Sequence, residues 1–307
     1  MMVRVVLALV WVGGWLWAAS GEAETHYETF QVMPLDTPIT VDGAIEDWGA
    51  QGHEQGRQVS LTNSDWEESE QESVDSTSSL EKHVRIWTGY HKEHFYLAAQ
   101  WRDETQNAIY KPWKLSQENY QRTRTVDDMF VVRLKLDDSF QQCMLSNNPY
   151  RTDIWRWSAG RSNLSGVADD MLHAFSKNPF DKPAREYEGK NGTVYFLNVL
   201  DAGYSGWQTS PQPKAGSGPV VASIVKAGEP AGSRADVLAV GKWQDGVWTL
   251  EMSRNLNTKD PDDAVFVIGG KNVMQFAIFY AGYKLRKFIT QPIVFQFAAR
   301  KLRQAGW

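Results

Sequence analysis

Residues 140–171, FQQCMLSNNPYRTDIWRWSAGRSNLSGVADDM, hold the side chains whose types and spacing most suggest chemistry beyond ordinary packing. Cys143, the one cysteine of the chain, stands beside Met144, ahead of a turn at Asn147-Asn148-Pro149. Residues 153–157 follow as an aromatic strand. Strand side chains alternate between faces, so Trp155 and Trp157 share one face while Ile154 and Arg156 share the other. A thioether at a turn that opens onto a two-indole face suits contact with something large, flat and apolar. The same residues would serve equally as the core of a β-sandwich, where methionine is a common gap-filler. The sequence pattern leaves both readings open.

Other chemistries are easier to exclude. A single cysteine rules out an internal disulfide framework and any zinc or iron–sulfur site built on several thiolates. No Cys-x-x-Cys-His motif is present for covalent c-type haem attachment. Nor is there a nucleophile elbow, a phosphate-cradling glycine loop or a zinc-protease helix. The carboxylate pairs Asp127-Asp128, Asp169-Asp170 and Asp262-Asp263 are adjacent in sequence. On a strand such neighbours point to opposite faces, which makes poor acid/base couples. Turn or edge positions are expected for them. His83, His91 and His94 are read as ordinary residues in and near a turn, and the carboxylates of residues 65–75 as a solvated face. The net charge of −5 argues against nucleic acid or anionic lipid as the main partner.

The elements that must position these residues read as short strands separated by turns. Residues 38–48, PITVDGAIEDW, give a short strand, an Asp-Gly turn and a helical step. Residues 84–90 and 95–101 form a hairpin, and 127–136 alternate as a strand. Further strands are expected at 193–200, 220–225, 274–280 and 288–297, with a hairpin of 235–242 and 246–252 through Gln244-Asp245-Gly246. Residues 49–80 and 201–232 read as long insertions, the first polar and acidic, the second rich in Gly, Pro and Ser. The fold class is therefore all-β: an antiparallel β-sandwich with long loop insertions, one domain over residues 24–307.

The N-terminus has a charge at Arg4, an apolar run to Ala19 and small residues before Glu22 and Ala23. That pattern is a secretory signal, residues 1–23, and the run is short of the ~20 residues of a comfortable membrane span. A periplasmic chain without a transmembrane segment after cleavage is expected.

Four blocks carry a resemblance: residues 38–48, Met144 ahead of residues 153–161 (DIWRWSAGR), residues 243–256 (WQDGVWTLEMSRNL) and residues 276–290 (FAIFYAGYKLRKFIT). Together they resemble the haem-b-binding gamma subunits of type II DMSO-reductase-family molybdenum enzymes, the ethylbenzene dehydrogenase type. Relatives of that type serve dimethylsulfide dehydrogenase, chlorate and selenate reductase, and nitrite oxidoreductase. The fold so implied is like that of family-9 carbohydrate-binding modules and DOMON domains. The resemblance implies one haem b in the sandwich, its iron held by Met144 and Lys287, with Lys284 as second choice for the lysine. Trp155 and Trp157 would pack near the macrocycle, and Arg156 or Arg161 would pair with a propionate. It further implies a non-catalytic electron-transfer subunit. Its partners would be the iron–sulfur subunit and the molybdopterin catalytic subunit of an exported oxidoreductase, with nitrite oxidoreductase favoured, and a soluble c-type cytochrome. Two other readings predict different behaviour: a secreted carbohydrate-binding module using its tryptophans as a sugar platform, and a structural subunit without haem.

Overall fold

The computed structural model describes residues 27–63, 82–138, 140, 149–189, 192–281 and 286–300. The expected leader at 1–23 and the acidic residues 65–75 lie outside the described residues. Among the described residues no helix is long and apolar enough to cross a membrane.

Fourteen strands join in one continuous hydrogen-bonded path that folds into two facing layers. In chain order they are β1 (Glu28–Pro34), β2 (Arg57–Asn63), β3 (Lys82–His91), β4 (His94–Arg102), β5 (Met129–Lys135), β6 (Tyr150–Ser158) and β7 (Asp169–Ser176). Then come β8 (Arg185–Gly189), β9 (Gly192–Leu200), β10 (Leu238–Gln244), β11 (Val247–Asn255), β12 (Lys271–Tyr280), β13 (Arg286–Ile289) and β14 (Ile293–Phe297). The first layer runs β8-β9-β7-β6-β5-β12 and ends on β13 and β14; the second runs β2-β3-β4-β11-β10. Two pairings join the layers along one edge: β13 with β2, and β1 in parallel with both β14 and β3. At the opposite edge the bridge Val167↔Leu238 draws the layers together.

Alternation builds the interior. In β5, Phe130, Val132 and Leu134 point inward and are fully buried, while Met129, Val131 and Arg133 take the other face. Facing strands contribute Phe95, Leu97 and Trp101 from β4, and Trp248, Leu250 and Met252 from β11. Trp101 stacks on Phe130 at 5.4 Å and meets Trp157 edge-on at 6.1 Å. The β10–β11 hairpin turns at Asp245-Gly246, both at positive φ (50° and 79°), the backbone that a two-residue hairpin turn demands.

The outer face of the second layer is covered by the segment that carries the PITVDG…W block. Leu35, Ile39 and Trp48 pack there on Trp87, Tyr96 and Ala98. Glu251 pins the segment: its carboxylate accepts from the Asp42 and Gly43 amides at 2.9 and 3.0 Å and from the Trp48 indole at 2.9 Å. The expected helical step is Glu46–Ala50, whereas residues 38–41 are not a strand. Inside the first expected insertion the structure has β2, and β7 follows the 3₁₀ turn Ser162–Ser165 where no strand was anticipated. The second insertion contains two short pairings, Trp207–Thr209 with Ile224–Lys226 and Val220–Val221 with Trp113–Ser116.

Candidate functional site

The outer face of the first layer is where charged and apolar side chains meet. Strand register assigns its residues in rows. Ile154 of β6 lies opposite Met171 of β7 and Arg133 of β5, and Arg133 opposite Gln275 of β12. The next row holds Asp169, Arg156, Val131, Ala277 and Ile289, and the one beyond holds Met129, Phe279 and Lys287. Val131, Ile154, Met171 and Ala277 form a buried apolar cluster with Phe279 and Ile289 against it. A second cluster continues the face, with Tyr150, Phe175 and Phe196 stacked at 4.7 Å.

Lys287 sits half-buried at one end of this patch, its ammonium 5.8 Å from the Phe279 ring. Arg156 lies on the same face, and its Nη2 donates to the fully buried Asp169 at 3.2 Å. Asp169 also receives Arg234 at 2.8 Å. Arg133 donates to the Gln275 amide oxygen and to the Tyr150 hydroxyl. Arg161 is committed elsewhere: it grips the buried Asp127 through Nε (3.2 Å) and Nη2 (2.9 Å), and lies over Tyr110. Met144, Cys143 and Lys284 lie outside the described residues.

The two tryptophans do not share this face. Trp155 and Trp157 point into the sandwich, both fully buried. Trp157 stands edge-on to Trp248 at 5.0 Å, and its indole donates to Asn163 at 3.0 Å. Alternation along β6 separates them from Ile154, Arg156 and Lys287 by the thickness of the sheet. Trp155 and Trp157 therefore stand on the face of the sheet opposite Lys287, packed into the aromatic interior.

Of the carboxylate pairs, Asp262-Asp263 stands in a turn as expected, with Asp263 nearly fully buried, whereas Asp127, Asp128, Asp169 and Asp170 are fully buried. Their neighbours do point to opposite faces: Asp169 meets Arg156 outside, while Asp170 meets Arg254 inside. Arg254 of β11 reaches Asp153 at 2.8 Å, Asp170 at 3.3 Å and Asp263 at 3.6 Å. Those three carboxylates form the one cluster, among the described residues, whose spacing could hold a metal ion. His83, His91 and His94 form no such group: His91 bonds the Leu35 carbonyl at 3.1 Å. One arginine facing three buried acids leaves a charge imbalance, and the carboxylates respond. Burial pushes Asp263 up to about 7, only partly opposed by Arg254. Burial, with Asp260 and Asp153 nearby, pushes Asp201 up to about 7. Asp128 is pushed up to about 6 by burial despite the Ala281 and Asn107 amides it accepts from.

Stability should therefore fall as pH rises. Each raised carboxylate holds its proton in the folded chain at pH values where the unfolded chain has lost it, so the folded state binds more protons from about 4 to about 7. His173 opposes this, because burial and nearby cations lower its pKa to about 3 and the unfolded imidazole binds the proton first. Three carboxylates outweigh one imidazole. Thermal midpoints measured from pH 5 to pH 8 are expected to decline, and a rising or flat profile would contradict the buried acid cluster.

The sequence reading missed His173, Arg133 and Arg254. The Asp169-Asp170 pair was the available signal: two adjacent acids on a strand require partners on both faces.

The family model described as ethylbenzene dehydrogenase matches residues 55–286, more than half of the chain. No curated protein matches it. Among solved structures, a Bacteroides uniformis protein described as carbohydrate-binding overlaps with TM-score 0.42 and 8% identity, covering 90% of this chain and 94% of its own. A family-9 carbohydrate-binding module from Caldicellulosiruptor kristjanssonii in complex with glucose gives 0.35 and 10%, covering 90% and 100%. Its complex with cellotriose gives 0.36 and 10%, covering 91% and 98%. Overlaps this loose say nothing about a ligand.

Proposed function

This chain belongs to the ethylbenzene dehydrogenase family, and we propose that it is an exported electron-transfer subunit carrying one haem b. In this reading it exchanges electrons between the iron–sulfur subunit of a periplasmic molybdenum oxidoreductase and a soluble cytochrome. Catalysis then belongs to another chain. Nitrite oxidoreductase is the favoured partner type.

The observation that carries the reading is the placement of Lys287. It stands on the same face as Ile154, Met171, Ala277 and Phe279, an apolar patch rimmed by Arg156 and Arg133. Such a patch fits a flat apolar ring system with carboxylates at its edge. The connection carrying Met144 leaves β5 and enters β6, two adjacent strands of that patch. When bound, the haem would supply a one-electron couple, with Met144 and Lys287 as the residues that would hold its iron. The thioether is a soft ligand that favours the reduced metal. The lysine would ligate only as the neutral amine. Arg156 is the side chain best placed to meet a propionate, whereas Arg161 is already neutralised by Asp127.

Trp48, Trp155, Trp157 and Trp248 are fully buried and offer no sugar platform, whereas Trp113, Trp207 and Trp243 are half-buried. The purified chain reconstituted with haemin is expected to show a b-type Soret band. Lys287→Ala and Met144→Ala should each shift or abolish it while leaving the far-ultraviolet β signature intact. A folded chain that stays colourless, or variants with an unchanged spectrum, would defeat the reading.

A further inference from the structure

His173 occupies the outer face of the first layer without a hydrogen-bond partner. Neither Nδ1 nor Nε2 has one, and both atoms are shut off from water. A polar group buried in this way is costly and calls for an explanation. The ring meets Phe196 edge-on at 4.8 Å, a contact that leaves both nitrogens unused. Arg156 repeats the pattern on the same face: Nη2 is held by Asp169, but Nε is buried and unpartnered. Register puts His173 opposite Thr152 and Asp169 opposite Arg156, so one row separates the two orphans. That row is Ile154 and Met171, both apolar and buried.

The charges acting on His173 are all positive. Burial first, then Arg133, Arg156 and Lys287, hold its pKa down to about 3, so the imidazole is neutral and has one N–H to donate. A neutral donor beside the Arg133 and Arg156 guanidiniums, which keep their charge when Lys287 is neutral, is matched by an anionic acceptor. An apolar row between the two donors calls for an anion attached to an apolar body.

We propose that His173 and Arg156 receive the carboxylates of the porphyrin, His173 through its ring N–H and Arg156 through Nε. The inference rests on the haem reading above and assigns the side chains that orient the cofactor's acidic edge. Both are positioning residues and neither ligates the iron.

The test compares haemin with its dimethyl ester, which keeps the ring and the iron but lacks the negative charges. Wild-type chain, His173→Phe, His173→Gln and Arg156→Gln are titrated with each and followed at the Soret band. Wild type is expected to prefer the free acid. His173→Phe, which keeps the packing on Phe196, should lose about tenfold of that preference, the worth of one hydrogen bond to a charged group. The Soret position of the loaded form should not move. His173→Gln, which retains a donor, should recover part of the preference. Arg156→Gln, which leaves Asp169 paired with Arg234, should lower the same ratio. An undiminished ratio in both His173→Phe and Arg156→Gln overturns the proposal while the haem reading stands. A shifted Soret band in His173→Phe also overturns it, because His173 would then be an iron ligand. Failure of wild type to give a b-type band with either compound removes the haem reading itself.

Discussion

Arg254→Met is expected to destabilise the chain by about 3–5 kcal/mol, the usual cost of removing one partner from a buried charge network. Arg254 is fully buried and holds Asp153, Asp170 and Asp263 together, while Nη2 donates to the Ala264 carbonyl at 2.5 Å. Its guanidinium also lies 4.6 Å from the Trp155 ring centroid. Methionine fills the volume and removes the charge, which leaves three acids facing one another in the interior. Asp170 already sits well above its ordinary range because burial and Asp153 disfavour its charge. Without Arg254 those carboxylates can persist only by taking up protons. The loss in Arg254→Met should therefore be larger at pH 8 than at pH 5, in a thermal or urea unfolding series. Arg254→Lys keeps a charge but not the planar fork, and should fall between the two. A loss below about 1 kcal/mol, the range of an exposed pair, would show that the network contributes little.

The network also marks the limit of what the sequence disclosed. The hairpins were legible because their signals are local: Asp245-Gly246 sits between two alternating runs, and Lys92-Glu93 joins β3 to β4. Strand β7 was not, because Asp-Asp-Met-Leu-His-Ala-Phe has no clean polar and apolar alternation. Asp169 and Asp170 are buried on opposite faces by partners from distant segments, so the strand reads as polar although it lies inside. In β2 only Val59 and Leu61 are buried, two apolar residues among polar ones. Lys287 and Met144 were singled out through resemblance to a family rather than from their spacing. Nothing local distinguishes Lys287 from Lys284. The face that carries Lys287 became visible only once register aligned β13 with β12 and β12 with β5. His173 escaped notice for the same reason: its significance is the absence of a partner, which a sequence cannot display.

Trp157→Ala is the second large effect, and it separates a core residue from a cofactor wall. Trp157 is fully buried against Trp101 and Trp248, and Gly241 of β10 lies against it so closely that an added Cβ would meet the indole at 2.2 Å. Asn163 accepts from the indole and from the Gly241 amide, and gives its own amide to the Gly241 carbonyl. Removing the ring empties the centre of the sandwich and strips one donor from Asn163. The expected loss is about 3–5 kcal/mol, as for other large aromatics truncated in a core. Should the indole instead line a cofactor, the same variant would alter the Soret band at little cost to the haem-free fold. The burial of Trp157 favours the opposite outcome: a lower unfolding midpoint without haem, and an unshifted band in whatever fraction folds and binds. Gly241→Ala should reproduce part of the loss by crowding the indole from the far side. A Trp157→Ala chain that unfolds like wild type would remove the aromatic core from this account and return Trp157 to the ligand.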